Sequence, residues 1–211
     1  PAHKTESTES AIRPGPLPPR LIVGTRQHSG AAAEPIVRVG QQLARGETLA
    51  TATSRDSADV HAPASGQVVA IEPQAVPLGN SISIETCIVL ATDRDGPEAR
   101  LETPSASQPD RIEALARAGI VGLGGAVYPT ASKVRLAASH SCDLLIINGA
   151  ECEPYISCDD MLMREAPEAV VSGAAILMDI VGASRCIVAI ERDKPQAIDA
   201  ITAAAESAAI E

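Results

Sequence analysis

The chain has 211 residues, enough for two modest domains or one large one, and a net charge of −10 from 17 basic and 27 acidic side chains. It has no basic run and no Arg/Lys stripe, which argues against nucleic acid or anionic lipid as a direct partner. No apolar run reaches the length of a membrane span, so this segment is not expected to insert into a membrane.

With no Phe, no Trp and two Tyr, the core must be built from Val, Ile, Leu and Ala. Both tyrosines, Tyr128 and Tyr155, fall in the two segments that carry the chemical signals described below. The five cysteines are irregularly spaced without a CxxC pair, which argues against a zinc or iron–sulfur site held by this segment; reduced structural thiols are expected. The chain begins without Met and stops inside an Ala-rich helical pattern, so it is expected to be part of a longer protein.

Residues 1–20, "PAHKTESTESAIRPGPLPPR", are polar and Pro-rich without periodicity and predict an extended arm. Over 21–95, short alternating runs such as "PIVRVGQQLARGETLATA", "VHAPASGQVVAIE" and "SISIETCIVLAT" are separated by Gly, Pro and Asn, which predicts a small all-β unit. This stretch resembles the lipoyl and biotinyl carrier domains and their barrel-sandwich relatives. In true carriers the intervening hairpin presents a lysine for biotin or lipoate. Here that segment, "TSRDSADVH", has none, so the fold is expected without the carrier chemistry. His61 reads as a surface or packed histidine.

Residues 96–110 read as a polar linker, and from 111 to 211 the pattern becomes α/β. "RIEALARAGI" predicts a helix with Ile112, Leu115 and Ala116 on one face, ending near Gly119, and a further helix is expected over Ala131–Ser139. "DLLIINGA" and "RCIVAIE" are apolar runs of strand length. "APEAVVSGAAILMDIVGA" and "RDKPQAIDAITAAAESAAIE" are helical, the latter with Pro195 in its first turn. Two strand-then-helix units with continuously apolar strands predict a parallel sheet covered by helices, a Rossmann-like α/β domain.

Between the first two of these helices lies "GIVGLGGAVYPTASKV". Glycines reach positive φ without penalty and let backbone N–H groups approach a phosphate or a flat ring, and the following helix points its N-terminal dipole at the same place. Lys133 falls one turn into that helix, within reach of a phosphate. The alternative is a Gly-rich turn with a purely structural role, since the stretch is neither GxGxxG after a strand nor a Walker loop. The strand "LLIINGAECEPY" ends with Asn148, Glu151 and Glu153 where ligands of open α/β sheets bind. Two nearby carboxylates suit ribose hydroxyls or a ring N–H better than a phosphate; the alternative is that Glu151 and Glu153 are ordinary solvated loop acids. Cys152 between them reads as a packed thiol, the alternative being a redox-active one.

"GIVGLGGAVYPTASKV" followed by "LIINGAECEPYISCDDMLMRE" closely resembles the C subunit of Rnf-type (Rsx-type) ion-translocating electron-transport complexes and, more distantly, the NADH- and FMN-binding subunit of respiratory complex I. The phrases "PAHK", "QHSGAAAEPIVRVGQQLARGE", "VHAPASGQVVAIEP" and "ERDKPQAI" look like the same C subunit, so the resemblance covers nearly the whole chain. It implies that Gly122, Gly124, Gly125, Ala126, Lys133, Asn148 and Glu151 contact FMN, that Tyr128 stacks on the adenine of NADH, and that Glu153 approaches the nicotinamide nucleotide. It further implies a peripheral subunit on the cytoplasmic side of a bacterial inner membrane, partnered by membrane and iron–sulfur subunits. Hydride passes there between NAD(H) and flavin, and single electrons pass to 4Fe-4S clusters held downstream of this segment. No side-chain catalyst is implied, because the flavin carries the chemistry. The chain departs from complex I at Leu123, where that family has arginine, at Val127, where it has glycine, and at Ala150, where it has aspartate. The alternative reading is a non-catalytic docking subunit with a degenerate nucleotide site.

Overall fold

A computed structural model describes residues 4–78, 81–100, 107–123, 126–206 and 210. It divides into two compact units, one made of Pro16–Arg135 and the other of Pro1–Gly15 with Leu136–Glu211.

Among the described residues the Pro16–Arg135 unit contains the strands β1 (Arg20–Gly24), β2 (Glu34–Pro35), β3 (Gln42–Leu43), β4 (Thr48–Thr51), β5 (Val60–His61), β6 (Gly66–Leu78) and β7 (Ser81–Thr92). Every pairing among them is antiparallel. One sheet has the order β1-β7-β6-β3, the other β2-β4-β5. Val23, Leu43, Val68, Ile88 and Leu90 from the first sheet and Leu49, Ala50 and Val60 from the second form one apolar cluster. Leu49, Val68, Ile88 and Leu90 are wholly removed from solvent, each contributing about 1.5–3 kcal/mol of burial free energy. The core is therefore aliphatic, as the missing Phe and Trp require. β6 and β7 are longer than the short runs predicted. Beyond the buried stretch Cys87–Leu90 the hairpin continues outward, and Ile82 and Ile84 there are exposed.

Part of the expected linker is also paired: the Arg45 N–H donates to the Pro97 carbonyl at 3.0 Å, and the Ala99 N–H donates back to Arg45 at 2.7 Å. Two helices follow, α1 (Gln108–Arg117) and α2 (Thr130–Ala138). α1 starts three residues earlier than its apolar pattern suggests, because Ser107 caps it by accepting from the Asp110 N–H and Pro109 fits the first turn. Ile112 is buried as expected, with Leu115 and Ala116 half-buried.

The other unit runs β8 (Leu144–Gly149), α3 (Cys158–Glu165), α4 (Pro167–Val181), β9 (Arg185–Ile190) and α5 (Pro195–Ala205). β8 and β9 pair in parallel from Leu144↔Arg185 to Gly149↔Ile190, and Cys186 bridges Ile210 in the same sense. Prolines occupy the first turns of α4 and α5, and Gly182, at φ 73°, ends α4 in the left-handed conformation. Met163, Val171, Ala174, Cys186, Ala197 and Ile201 build the core, with Leu145 and Ile147 of β8 packed against it. The prediction of a fully helix-covered sheet is met on one face only. β8 alternates, and Ile146 on its other face is 59% exposed among the described residues. α3 was not predicted. The arm is not free either: residues 6–8 form a 3-10 turn, the Ile12 N–H donates to the Glu165 carboxylate at 3.0 Å, and Ser157 Oγ donates to the Ser7 carbonyl at 3.3 Å.

Candidate functional site

The glycine loop closes at its base. The Thr130 N–H donates to Ile120 at 3.0 Å, Val121 bridges Pro129, and the Gly122 N–H donates to the Tyr128 carbonyl at 2.8 Å. A Cβ added to Gly122 would stand 3.4 Å from Lys133 Nζ, so the ammonium lies against the bare glycine face. The same Nζ is 6.0 Å from the centre of the Tyr128 ring, at the outer reach of a cation–π contact. The structure thus brings Gly122, Tyr128 and Lys133 together. Ala126 is exposed beside them, and Gly124 and Gly125 lie outside the described residues. Val127, where complex I has glycine, is held at φ 43°, a conformation that disfavours a β-branched residue. Gly119, at φ 66°, is required for a second reason, since a Cβ there would run into the Asp59 carbonyl.

This loop is fastened to the β strands of its own unit. Val127 accepts from the Ser29 N–H at 3.1 Å, the Tyr128 hydroxyl donates to Asp56 Oδ1 at 3.3 Å, and Ser132 Oγ donates to the Arg55 carbonyl at 2.5 Å. Arg55 and Asp56 sit on residues 52–59, the connection between β4 and β5 where carrier domains would present their lysine. Asp56 raises the Tyr128 phenol above its ordinary range, first by its charge, with partial burial and the hydrogen bond adding to it. His28 holds the 52–59 connection from beneath: it is buried, and its Nε2 accepts from the Ala58 N–H at 3.0 Å. Burial is the main cause that pushes its imidazole below the ordinary histidine range. Between these loops opens a cavity of about 680 Å³ lined by Arg26, Ser29, Asp56, Glu85 and Tyr128 among others. Of the polar lining groups, the sequence singled out Tyr128 alone.

Asn148, Glu151 and Glu153 belong to the other unit. Asn148 is exposed, its Oδ1 accepting from the Ala150 N–H at 3.1 Å, and Glu153 is exposed. Glu151 is 3% exposed and engaged on every side. Its Oε1 accepts from the Asp159 N–H at the start of α3 at 2.9 Å and from the Cys158 thiol at 3.3 Å. Its Oε2 lies 3.3 Å from Lys4 Nζ and 3.7 Å from Lys194 Nζ. Its carbonyl accepts from Lys4, and its N–H donates to Glu191, which pairs with Lys194 at 2.6 Å. Burial alone would raise the Glu151 carboxyl. The Asp159 N–H, the Cys158 thiol and Lys4 outweigh it and hold the group below the ordinary carboxylate range. For Lys194 burial acts downward, and the hydrogen bond and charge of Glu191, with Glu151 and Asp160, outweigh it and raise the amine. The Cys158 thiol is raised, first by its hydrogen bond to Glu151 and then by burial, and stays protonated. Glu151, Cys158 and Asp159 bring ligand atoms within 4.8 Å of one another, but two ammonium groups already supply the positive charge that a metal ion would bring. Gly149 allows this packing, because a Cβ there would press on Met163 Sδ at 2.9 Å and on the Ala189 carbonyl at 3.1 Å.

Residues 1–95 match the family model described as the RnfC barrel sandwich hybrid domain, and residues 115–211 match that of the Nuo51 FMN-binding domain. The C subunit of an ion-translocating oxidoreductase complex from Rhodobacter capsulatus is 41% identical over 203 residues, which are 95% of this chain and 39% of the relative. The corresponding C subunit of Pseudomonas aeruginosa is 43% identical over 212 residues, 97% of this chain and 27% of the relative. The chain belongs to this RnfC family. It spans well under half the length of these two curated RnfC relatives. The crystal structure of an NAD+-reducing NiFe-hydrogenase in the H2-reduced state is 28% identical over a region covering 48% of this chain and 18% of that one, with a TM-score of 0.45. No helix among the described residues is long and apolar enough to cross a membrane.

Proposed function

We propose that the chain is the FMN- and NAD(H)-binding part of a peripheral RnfC protein in a membrane-bound electron-transport complex, a ferredoxin:NAD+ oxidoreductase coupled to ion translocation. The observation that carries this reading is the ammonium of Lys133 lying against the side-chain-free face of Gly122, within the segment that matches an FMN-binding family. A cation beside exposed backbone at a helix start suits a phosphate, so the residues fit FMN. Lys133 would neutralise that phosphate, Gly122 with Gly124, Gly125 and Ala126 would leave room for the ring system, and Asn148 would offer its side-chain amide. Glu151 enters through the loop that it anchors, since protein groups hold both its carboxylate oxygens. Tyr128 would give the adenine of NADH a face, and Glu153 would approach the nicotinamide nucleotide. Bound FMN would supply the exchange between two-electron hydride transfer with NAD(H) and single-electron transfer.

In this reading residues 111–211 are the N-terminal part of a Rossmann-like domain. The 4Fe-4S clusters belong to parts of the longer protein and its partners, at the cytoplasmic face of the inner membrane. The second reading, a docking protein without flavin chemistry, is favoured by the sequestered carboxylate of Glu151. Anaerobic NADH added to the FMN-loaded chain separates the two. Bleaching of the visible flavin bands is expected, and an unbleached, protein-bound flavin would leave the docking reading standing.

A further inference from the structure

We infer that the β strands' own loops supply the ribose-recognising group of the dinucleotide site, and that Asp56 makes this site select NAD(H) over NADP(H). The inference rests on the reading that places NAD(H) at Tyr128. It goes beyond that reading by assigning a binding residue, and a specificity, to the barrel-sandwich unit.

The cleft beside Tyr128 is open to solvent and holds about 680 Å³, room enough for a nucleoside. It offers an aromatic ring that is 37% exposed and, at 3.3 Å from that ring's hydroxyl, an exposed carboxylate. A flat face beside a carboxylate matches a purine nucleoside, whose base stacks and whose ribose diol donates to an acidic group. Asp56 has capacity for that diol. The Tyr128 hydroxyl is held at a long 3.3 Å, and an ionised carboxylate accepts at about four lone-pair sites.

Charge then decides between the two dinucleotides. The cavity wall carries two carboxylates, Asp56 and Glu85, and one cation, Arg26, which lies 3.6 Å from Glu85. The 2′-phosphate of NADP(H) would bring a further negative charge to the place where Asp56 sits, and the one cation among the described lining groups, Arg26, already faces Glu85, although its Nε keeps a free N–H. Asp56 is also held ready. Arg55 accepts from Ser132 at 2.5 Å, the His28 imidazole fixes Ala58 from the other end, and Gly30 lies so close to the Asp56 carbonyl that no Cβ could fit between them. The connection that displays a modified lysine in carrier domains here displays a fixed acid beside the aromatic ring.

The test is calorimetric titration of the FMN-saturated chain with NADH and with NADPH, for the parent, Asp56→Asn and Tyr128→Ala. The parent should bind NADH at least about tenfold more tightly than NADPH, and Asp56→Asn should loosen NADH by about tenfold and bring the two affinities within about threefold. Tyr128→Ala should loosen both. If Asp56→Asn leaves the NADH-to-NADPH ratio unmoved, or loosens both equally, while Tyr128→Ala still loosens NADH, Asp56 is no more than a brace for Tyr128 and the inference is overturned. If the parent binds no NADH, or Tyr128→Ala binds it like the parent, the reading of Tyr128 itself fails and the inference falls with it.

Discussion

Replacing Lys194 by Met tests whether the buried charge cluster around Glu151 holds its unit together. The Lys194 side chain is 4% exposed and that of Glu151 2%, so Met, of similar length, fills the space and removes only the charge. Breaking a buried ion pair by removing one partner costs about 3–5 kcal/mol. Two features reduce that figure: Lys4 remains 3.3 Å from Glu151, and Glu191 is one-third exposed and regains water. A loss of about 2–3 kcal/mol is expected, which lowers Tm by roughly 5–10 °C for a chain of this size. Urea and thermal unfolding at neutral pH measure it, and a cycle with Glu151→Gln should return a coupling of at least about 1 kcal/mol. The pH dependence has a definite sign. Lys194 is raised, so its contribution is complete below about pH 10.4 and is lost as pH climbs through the folded value. Glu151 is lowered, so its contribution is present above about pH 4.3 and is lost as pH falls through its folded value. The gap between parent and Lys194→Met should therefore be full at neutral pH and narrow in acid below that value. A variant within about 0.5 kcal/mol of the parent at neutral pH would refute the reasoning.

Val127→Gly should stabilise the chain by about 1 kcal/mol, because relief of a β-branched residue at φ 43° outweighs the added freedom of glycine in the unfolded state; Tm in a melting series checks it. The Pro16–Arg135 unit should lose stability as pH falls below about 6.5, since a histidine whose folded value is lowered must charge on acidification. Melting temperatures followed downward from neutral pH should show this slope in the parent and a flatter one in His28→Gln.

Elements with long, regular apolar patterns were legible: β8, β9, α4 and α5 stand where periodicity and their prolines put them. α3 was not, because "CDDMLMRE" is eight residues long, with acids in its first turn, and its apolar residues Met161, Leu162 and Met163 are consecutive and show no helical period. The one-sided cover of β8 was hidden as well, since Leu144, Leu145, Ile146 and Ile147 read alike whether one face or both are packed. At the candidate site, Gly122, Tyr128 and Lys133 are close in sequence; spacing put Lys133 near the glycines, while the part given to Tyr128 came from the family resemblance. The partners of Glu151 were out of reach of any window. Lys4 is 147 residues away in a stretch that reads as polar tail, and Lys194 looks like a surface lysine before a helix. Asp56 was likewise masked by composition, as an acid in a Ser-rich turn whose value lies in what the fold places opposite it.

The most direct measurement is a fluorescence titration of FMN with the folded chain, parent against Lys133→Ala. Saturable quenching by the parent, weakened about tenfold in the variant as expected for the loss of one charge-assisted contact to phosphate, is the predicted result. FMN fluorescence unchanged by a chain that is demonstrably folded would contradict the account.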